Sequence, residues 1–212
     1  MKKIKTAKKI SKQIPKFVVG IDEAGRGPLA GPVSVGGIFM TEKAYLKLKN
    51  TGKLKGLHNS KKLSEKQREE WFEKIKEWKK RGMLDFSYSS QSAKIIDEIG
   101  ISVAIRKSLG QILINFETPE ESRILLDGSL YAPKKFINQE TIIRGDESES
   151  IISLASIVAK VRRDNFIKKI ALEYPKYHLE VNKGYGTKRH LSAIEKNGLS
   201  DLHRKSFCKR FL

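Results

Sequence analysis

The chain has 212 residues, 39% of them hydrophobic, so it can bury one substantial core, and a single domain with an appendage is the default expectation. Its 43 Lys and Arg against 24 Asp and Glu leave a net charge of +19, the footprint of a polyanionic partner. A single cysteine, Cys208, excludes an intramolecular disulfide framework and a cysteine-rich zinc site; with no apolar run long enough for a membrane span or a secretory h-region, a soluble protein of a reducing, cytoplasmic compartment is expected.

Residues 1–16 hold seven lysines and no acid. Ile4, Ala7, Ile10 and Ile14 give them only a weak amphipathic pattern, so residues 1–15 read as a flexible basic tail ahead of a domain over 16–212. The β-branched run Phe17-Val18-Val19-Gly20-Ile21 predicts a buried strand over 17–22, which delivers Asp22 and Glu23 straight into Gly25-Arg26-Gly27-Pro28. Successive strand side chains face opposite sides, so the two acids share a site only where the strand bends or ends, and the glycines supply that break. An ionised pair at a buried strand end needs neutralising, and a divalent cation and Arg26 are the two candidates.

A second strand is expected over 30–40. Ser64 to Gln67 has the S-x-x-Q form of a capping box, and Trp71, Phe72, Ile75 and Trp78 then recur at helical spacing as core anchors. Residues 83–88 predict a strand, and 92–116 one or two helices interrupted near Gly100. Two more apolar runs end in aspartate: Ile124-Leu125-Leu126-Asp127 and Thr141-Ile142-Ile143-Arg144-Gly145-Asp146. A helix from about 149 to 173 follows, with Ile152, Leu154, Ala155, Ile157, Val158, Val161 and Phe166 as its apolar residues. Strands alternating with helices predict a mixed α/β sheet. Residues 183–212 are basic again, with eight Lys and Arg against Glu195 and Asp201. Cys208 falls near an end expected to be flexible.

Three strand-end positions therefore carry acids: Asp22 with Glu23, then Asp127, then Asp146. Taken singly, each Asp is as readily a turn or helix-cap residue. Taken together in a chain of net charge +19, they favour a site for a hard cation, because clustered carboxylates repel one another. Oxygen donors without a Cys/His cluster suit Mg²⁺ or Mn²⁺ rather than zinc. Lys160, Arg162 and Arg163 either line a nucleic-acid groove or pair with Asp164 or a site acid, and His190 and His203 read as structural hydrogen-bonders.

The run Gly20-Ile21-Asp22-Glu23-Ala24-Gly25-Arg26-Gly27-Pro28-Leu29-Ala30-Gly31-Pro32 resembles the opening motif of type 2 ribonucleases H, the bacterial ribonuclease HII family. Further matches follow in order: Ser60-Lys61-Lys62-Leu63, Asp127-Gly128, Gly145-Asp146, the run from Ser153 to Asp164, Lys183-Gly184-Tyr185-Gly186-Thr187, and His203-Arg204-Lys205-Ser206-Phe207. The resemblance implies a ribonuclease H-like mixed β-sheet flanked by helices, with a C-terminal helical segment over about 174–212, acting as a monomer. It implies hydrolysis of the RNA strand of RNA/DNA hybrids, and cutting on the 5′ side of ribonucleotides embedded in duplex DNA, with two divalent cations, Mg²⁺ or Mn²⁺. The family's metal-binding acids carry over onto Asp22, Glu23, Asp127 and Asp146, and its sugar-reading loop onto Gly25, Arg26 and Gly27. Its substrate-reading tyrosine carries over onto Tyr185; on composition alone that ring is more often a packing residue. Lys61, Lys62 and Lys160 are candidate phosphate contacts. One departure is Asn59, where family members usually have Asp.

Overall fold

The computed structural model describes residues 16–57 and 63–212, so the basic tail over 1–15, Asn59, Lys61 and Lys62 lie outside the described residues. β1 (Phe17–Ala24) and β2 (Val33–Thr41) form an antiparallel pair with Ala24 opposite Ser34. α1 (Glu42–Asn50) follows at once, its first turn capped by the Thr41 hydroxyl, which accepts from the Ala44 N–H at 3.1 Å. α2 (Glu65–Lys80) opens on the expected capping box and buries Trp71, Phe72, Ile75 and Trp78. β3 (Asp85–Gln91) leads into α3 (Ala93–Ile99) and α4 (Ile101–Asn115), divided at Gly100, whose φ of 78° only glycine adopts freely. β4 (Arg123–Asp127) and β5 (Gln139–Ile142) precede the single turn α5 (Gly145–Ser148) and the long α6 (Ser150–Ala171). The C-terminal segment holds α7 (Leu179–Asn182), α8 (Lys188–Asn197) and short 3-10 turns.

The sheet has the order β3-β2-β1-β4-β5, with β1, β4 and β5 parallel and β2 and β3 antiparallel to their neighbours. Alternation along β1 and β4 divides the core in two. Val18 and Leu125 face α2 and α6, whereas Val19, Ile21, Ile124 and Leu126 face α4. α6 is buried nearly all round because it is covered on both sides: it lies on the sheet and α2 lies on it. It approaches the sheet so closely that an ideal Cβ on Gly36 would stand 2.3 Å from the Ala155 carbonyl oxygen, and one on Gly20 2.5 Å from that of Ile151. These two glycines set how closely α6 sits on the sheet. No helix among the described residues is long and apolar enough to cross a membrane.

Two expectations need correction. The apolar run before Asp146 does not end as a strand: β5 stops at Ile142, Ile143 is 85% exposed, and Arg144 adopts a left-handed φ of 54° that turns the chain into α5. Asp146 is thus presented by a helical turn, and alternation cannot say where it points. Nor is Cys208 incidental in a flexible end, for it is fully buried, with Phe207 and Phe211 packed against the two neighbouring apolar clusters.

The close approach of α6 yields a contrast between two glycines. Gly36→Ala should lower unfolding stability by about 2 kcal/mol through overpacking against backbone, whereas Gly110→Ala, on α4 with nothing within 4 Å of the added carbon, should raise it by about 0.5–1 kcal/mol. Urea melts of both variants check the pair; an undisturbed Gly36→Ala protein would mean that α6 can lift off the sheet at little cost.

Candidate active site

Asp22 and Asp127 reach the same end of the sheet on the same face, each one residue beyond the last registered pair of β1 and β4, Ile21 with Leu126. Asp22 is 3% exposed and bonds to the Ser156 hydroxyl on α6, and its own carboxylate accepts from the Glu23 N–H at 2.7 Å. Burial first, then the charges of Glu23 and Asp127, push its pKa well above the usual carboxylate range. Glu23 lies on the next pleat at the strand end and bonds to Arg26 at 2.9 Å. Burial raises its pKa, the Arg26 charge lowers it, and Asp127 raises it again. Asp146 is fully buried, and its N–H donates to Asp127 Oδ1 at 3.3 Å while its carbonyl accepts from Ser153 Oγ at 2.7 Å.

The donor set suits a hard cation. All four acids offer oxygen, and Glu23 Oε2 is buried with no hydrogen-bond partner, an arrangement that costs free energy until a positive group reaches it. The acids stand apart: among the described residues, no three Asp, Glu, His or Cys side chains already gather as a metal-holding group.

Beside the acids lies a cleft of about 360 Å³ lined by Glu23, Gly25–Gly27, Arg68, Ser156, Lys160 and Tyr185. The structure therefore brings Arg26, both loop glycines, Lys160 and Tyr185 to one place. Lys160 pairs with Asp164 at 3.0 Å, and Arg26 also reaches Ser129 Oγ at 3.4 Å. Tyr185 is 42% exposed, and the Lys160 ammonium and Arg163 guanidinium each lie 5.8 Å from its ring centre. Arg68 belongs to the cleft but carried no signal in the sequence, and Ser156 was marked only as part of the run from Ser153 to Asp164, with no role of its own.

Two arginines beneath the loop gave no sign of their role either. Arg163 and Arg204 are both fully buried; among the described residues neither forms a direct ion pair, though the charge of Asp164 acts on Arg163 and that of Asp97 on Arg204. Arg204 donates from Nε to the Gly31 carbonyl at 2.9 Å, from Nη1 to that of Arg26 at 3.0 Å and from Nη2 to that of Gly25 at 2.7 Å. Arg163 donates from Nε to Pro32 at 2.9 Å and from Nη2 to Ala30 at 3.3 Å. Burial holds both guanidiniums below their ordinary pKa range, and the Arg163 charge adds to the effect at Arg204. Because the carbonyl and the following N–H of a trans peptide point in opposite directions, the inward carbonyls of Gly25 and Arg26 turn the N–H groups of Arg26 and Gly27 outward.

Tyr185 is fixed from below by a chain of hydrogen bonds that admits one proton arrangement. The Ser200 N–H donates to His203 Nδ1 at 3.0 Å, His203 Nε2 and His190 Nε2 are 3.2 Å apart, and His190 Nδ1 meets the Tyr185 carbonyl at 2.9 Å. A carbonyl can only accept, so His190 carries its proton on Nδ1 and receives one from His203 Nε2. The adjoining Gly184 has a φ of 84°, and its carbonyl accepts from the Leu29 N–H at 2.8 Å, which seats the tyrosine loop directly on the Gly25–Pro32 loop.

Two outcomes follow from this geometry. An added Cβ on Gly25 would fall 2.1 Å from Arg163 Nε at a φ of 85°, whereas Gly27 has nothing within 4 Å. Gly25→Ala should therefore lower the melting temperature, while Gly27→Ala should leave it unchanged, and any loss of turnover in the second arises on substrate; melts and cleavage rates of both separate the cases. The histidines supply the other. His203 is pushed down to about 4, chiefly by burial and then by His190. Unfolding returns it to about 6.5, so between those values the unfolded chain binds more protons and stability falls as pH drops. Asp22, raised instead, works in the opposite direction, so the measurement is the difference in melting temperature between wild type and His203→Gln from pH 7 to 4. That difference should shrink as the pH falls, and a constant difference would contradict the neutral-pair assignment.

The family model described as ribonuclease HII matches residues 19–210. The ribonuclease HII of Aliarcobacter butzleri is 43% identical over 192 residues, covering 91% of this chain and 91% of that protein. Among solved structures, ribonuclease H2 from Pyrococcus horikoshii superposes with a TM-score of 0.67 at 25% identity, covering 92% of this chain and 98% of that one. The Mn²⁺ complex of Bst-RNase HIII superposes with a TM-score of 0.64 at 14% identity, covering 91% and 67%, a likeness of fold.

Proposed function

The chain belongs to the ribonuclease HII family and is a ribonuclease H, and on that premise we propose that it hydrolyses the RNA strand of RNA/DNA hybrids and also cuts duplex DNA on the 5′ side of an embedded ribonucleotide, leaving 3′-hydroxyl and 5′-phosphate ends. The observation that carries this reading is the single cleft in which the Gly25–Gly27 backbone, Tyr185 and Lys160 meet Glu23, with Asp22 and Asp127 beside it. Asp22, Glu23, Asp127 and Asp146 are the residues that would hold two Mg²⁺ or Mn²⁺ ions. Two such ions supply Lewis acidity on both sides of a scissile phosphate.

The chain's own groups bind and orient. The outward N–H groups of Arg26 and Gly27 and the open space at Gly27 let the backbone approach a sugar closely enough to contact the 2′-hydroxyl, the one feature that separates RNA from DNA at a given position. Arg26, which pairs with Glu23 at 2.9 Å, carries a half-exposed guanidinium that can fork onto a phosphate. Tyr185 presents a ring face for the sugar edge, and Lys160 sits where a backbone phosphate would pass. The net charge of +19 steers the polyanion in without selecting sequence.

Asp127→Asn and Asp146→Asn should each abolish cleavage of a duplex with one ribonucleotide in Mg²⁺ or Mn²⁺, with an all-DNA duplex uncut throughout and a chelator reproducing the loss in wild type. Independently of turnover, Mn²⁺ should raise the melting temperature of wild type by mass action and do so far less in Asp127→Asn. Full activity in either variant would remove that acid from the mechanism, and cleavage of the all-DNA control would point instead to a general carboxylate-cluster nuclease.

A further inference from the structure

A second cavity, of about 800 Å³, opens on the β3 side of the Gly25–Pro32 loop, with Gly31 and Pro32 in its wall. It lies at the same end of the sheet as the acids, because Ala24 at the end of β1 pairs with Ser34, and Val33 pairs with Gln91 at the end of β3. One loop therefore separates the two hollows. Its cations are Lys94, Arg162 and Lys169, and among the described residues no acid pairs with any of them. The Arg162 guanidinium lies over the rings of Tyr88 at 4.7 Å and Phe72 at 5.2 Å, and its buried Nε has no hydrogen-bond partner. Asp201, the acid in the wall, already accepts from the Tyr174 hydroxyl at 2.6 Å.

A half-buried guanidinium without a counter-charge is costly unless an anion completes it, and stacking on rings fixes its plane for a forked contact with paired oxygens. Ser90 and Ser92 add hydroxyl donors, and Tyr88 and Phe166, 43% and 46% exposed, offer ring faces. We propose that this cavity is a second phosphate-binding site, which grips the backbone of the nucleic acid outside the scissile position. It rests on the ribonuclease reading for the identity of the polyanion, and the grip adds affinity without selecting sugar or sequence. Phosphates recur along each strand, so one gripped beyond the loop would anchor the flank of a duplex whose scissile phosphate lies in the first cleft.

The test is binding of a ribonucleotide-containing duplex in chelator, at a series of salt concentrations, to wild type, to the double variant Lys94→Gln/Lys169→Gln and to Arg162→Gln. Both lysines are exposed, so the double variant should fold even where Arg162→Gln, which unseats two ring contacts, does not. The magnitude of the slope of log affinity against log salt should fall by up to about 2 in the double variant, from roughly 0.9 for each phosphate no longer neutralised. That fall should occur with a duplex extending past the first cleft and not with one too short to do so, while turnover at saturating substrate stays unchanged. An unchanged slope, or equal falls on both duplexes, would overturn the site. So would saturable binding of a free mononucleotide, abolished in variants that bind duplex normally, because the cavity would then serve a soluble phosphate compound. If wild type instead left the ribonucleotide uncut with metal present, the nuclease reading would fail while the salt slopes still decided this one.

Discussion

Two buried guanidiniums, neither held in a direct ion pair among the described residues, keep the Gly25–Pro32 loop in place. Arg163 and Arg204 direct their donors to backbone carbonyls, so the loop's acceptors are drawn into the protein and its donors are left facing out. The arrangement has a cost, since both guanidiniums are fully buried and the Arg163 charge raises the potential at Arg204. The charges of Asp164 at Arg163 and of Asp97 at Arg204 offset part of it. The protein keeps its negative charge a few residues away, on Asp22 and Glu23, so one end of the sheet carries a cation-seeking half and an anion-seeking half. Under the proposed function, a polyanion accompanied by metal would satisfy the two at once.

Much of what lies C-terminal to α6 exists to keep that loop rigid. Arg204 comes from this segment, the Gly184 carbonyl receives two loop N–H groups, and the Gly31 N–H donates to the Leu202 carbonyl at 2.9 Å. The His203–His190 chain then carries the same rigidity to Tyr185. Under the proposed function such stiffness would serve discrimination, because backbone groups held in place can demand a 2′-hydroxyl partner.

The sheet, the main helices and three of the acids were legible because each rests on local periodicity. Phe17 to Ile21 and Ile124 to Leu126 are unbroken apolar runs, and Trp71 to Trp78 recur at helical spacing. Asp146 was expected at a strand end and instead lies on a helical turn, since β5 stops at Ile142 and Ile143 is exposed. Arg163 and Arg204 were invisible as structural residues: a charged side chain predicts a surface position, and their partners are carbonyls far off in the chain. The helix α1 was missed although Thr41 ahead of Glu42 was its cap signal, because Ala44, Tyr45, Leu46 and Leu48 follow no single period and only Tyr45 and Leu48 of them are buried.

Cys208 gives the protein a built-in gauge. It is the chain's single thiol, fully shielded in the segment that also carries Arg204, and burial pushes its pKa up. Reaction with a small thiol reagent can therefore proceed only from molecules in which that segment has lifted away, at a rate set by the opening equilibrium when closing is fast. The segment's local opening free energy becomes measurable on the unlabelled, unmutated protein, apart from global unfolding, and a bound duplex that clamps the loop would be seen as protection of a sulfur atom it never touches.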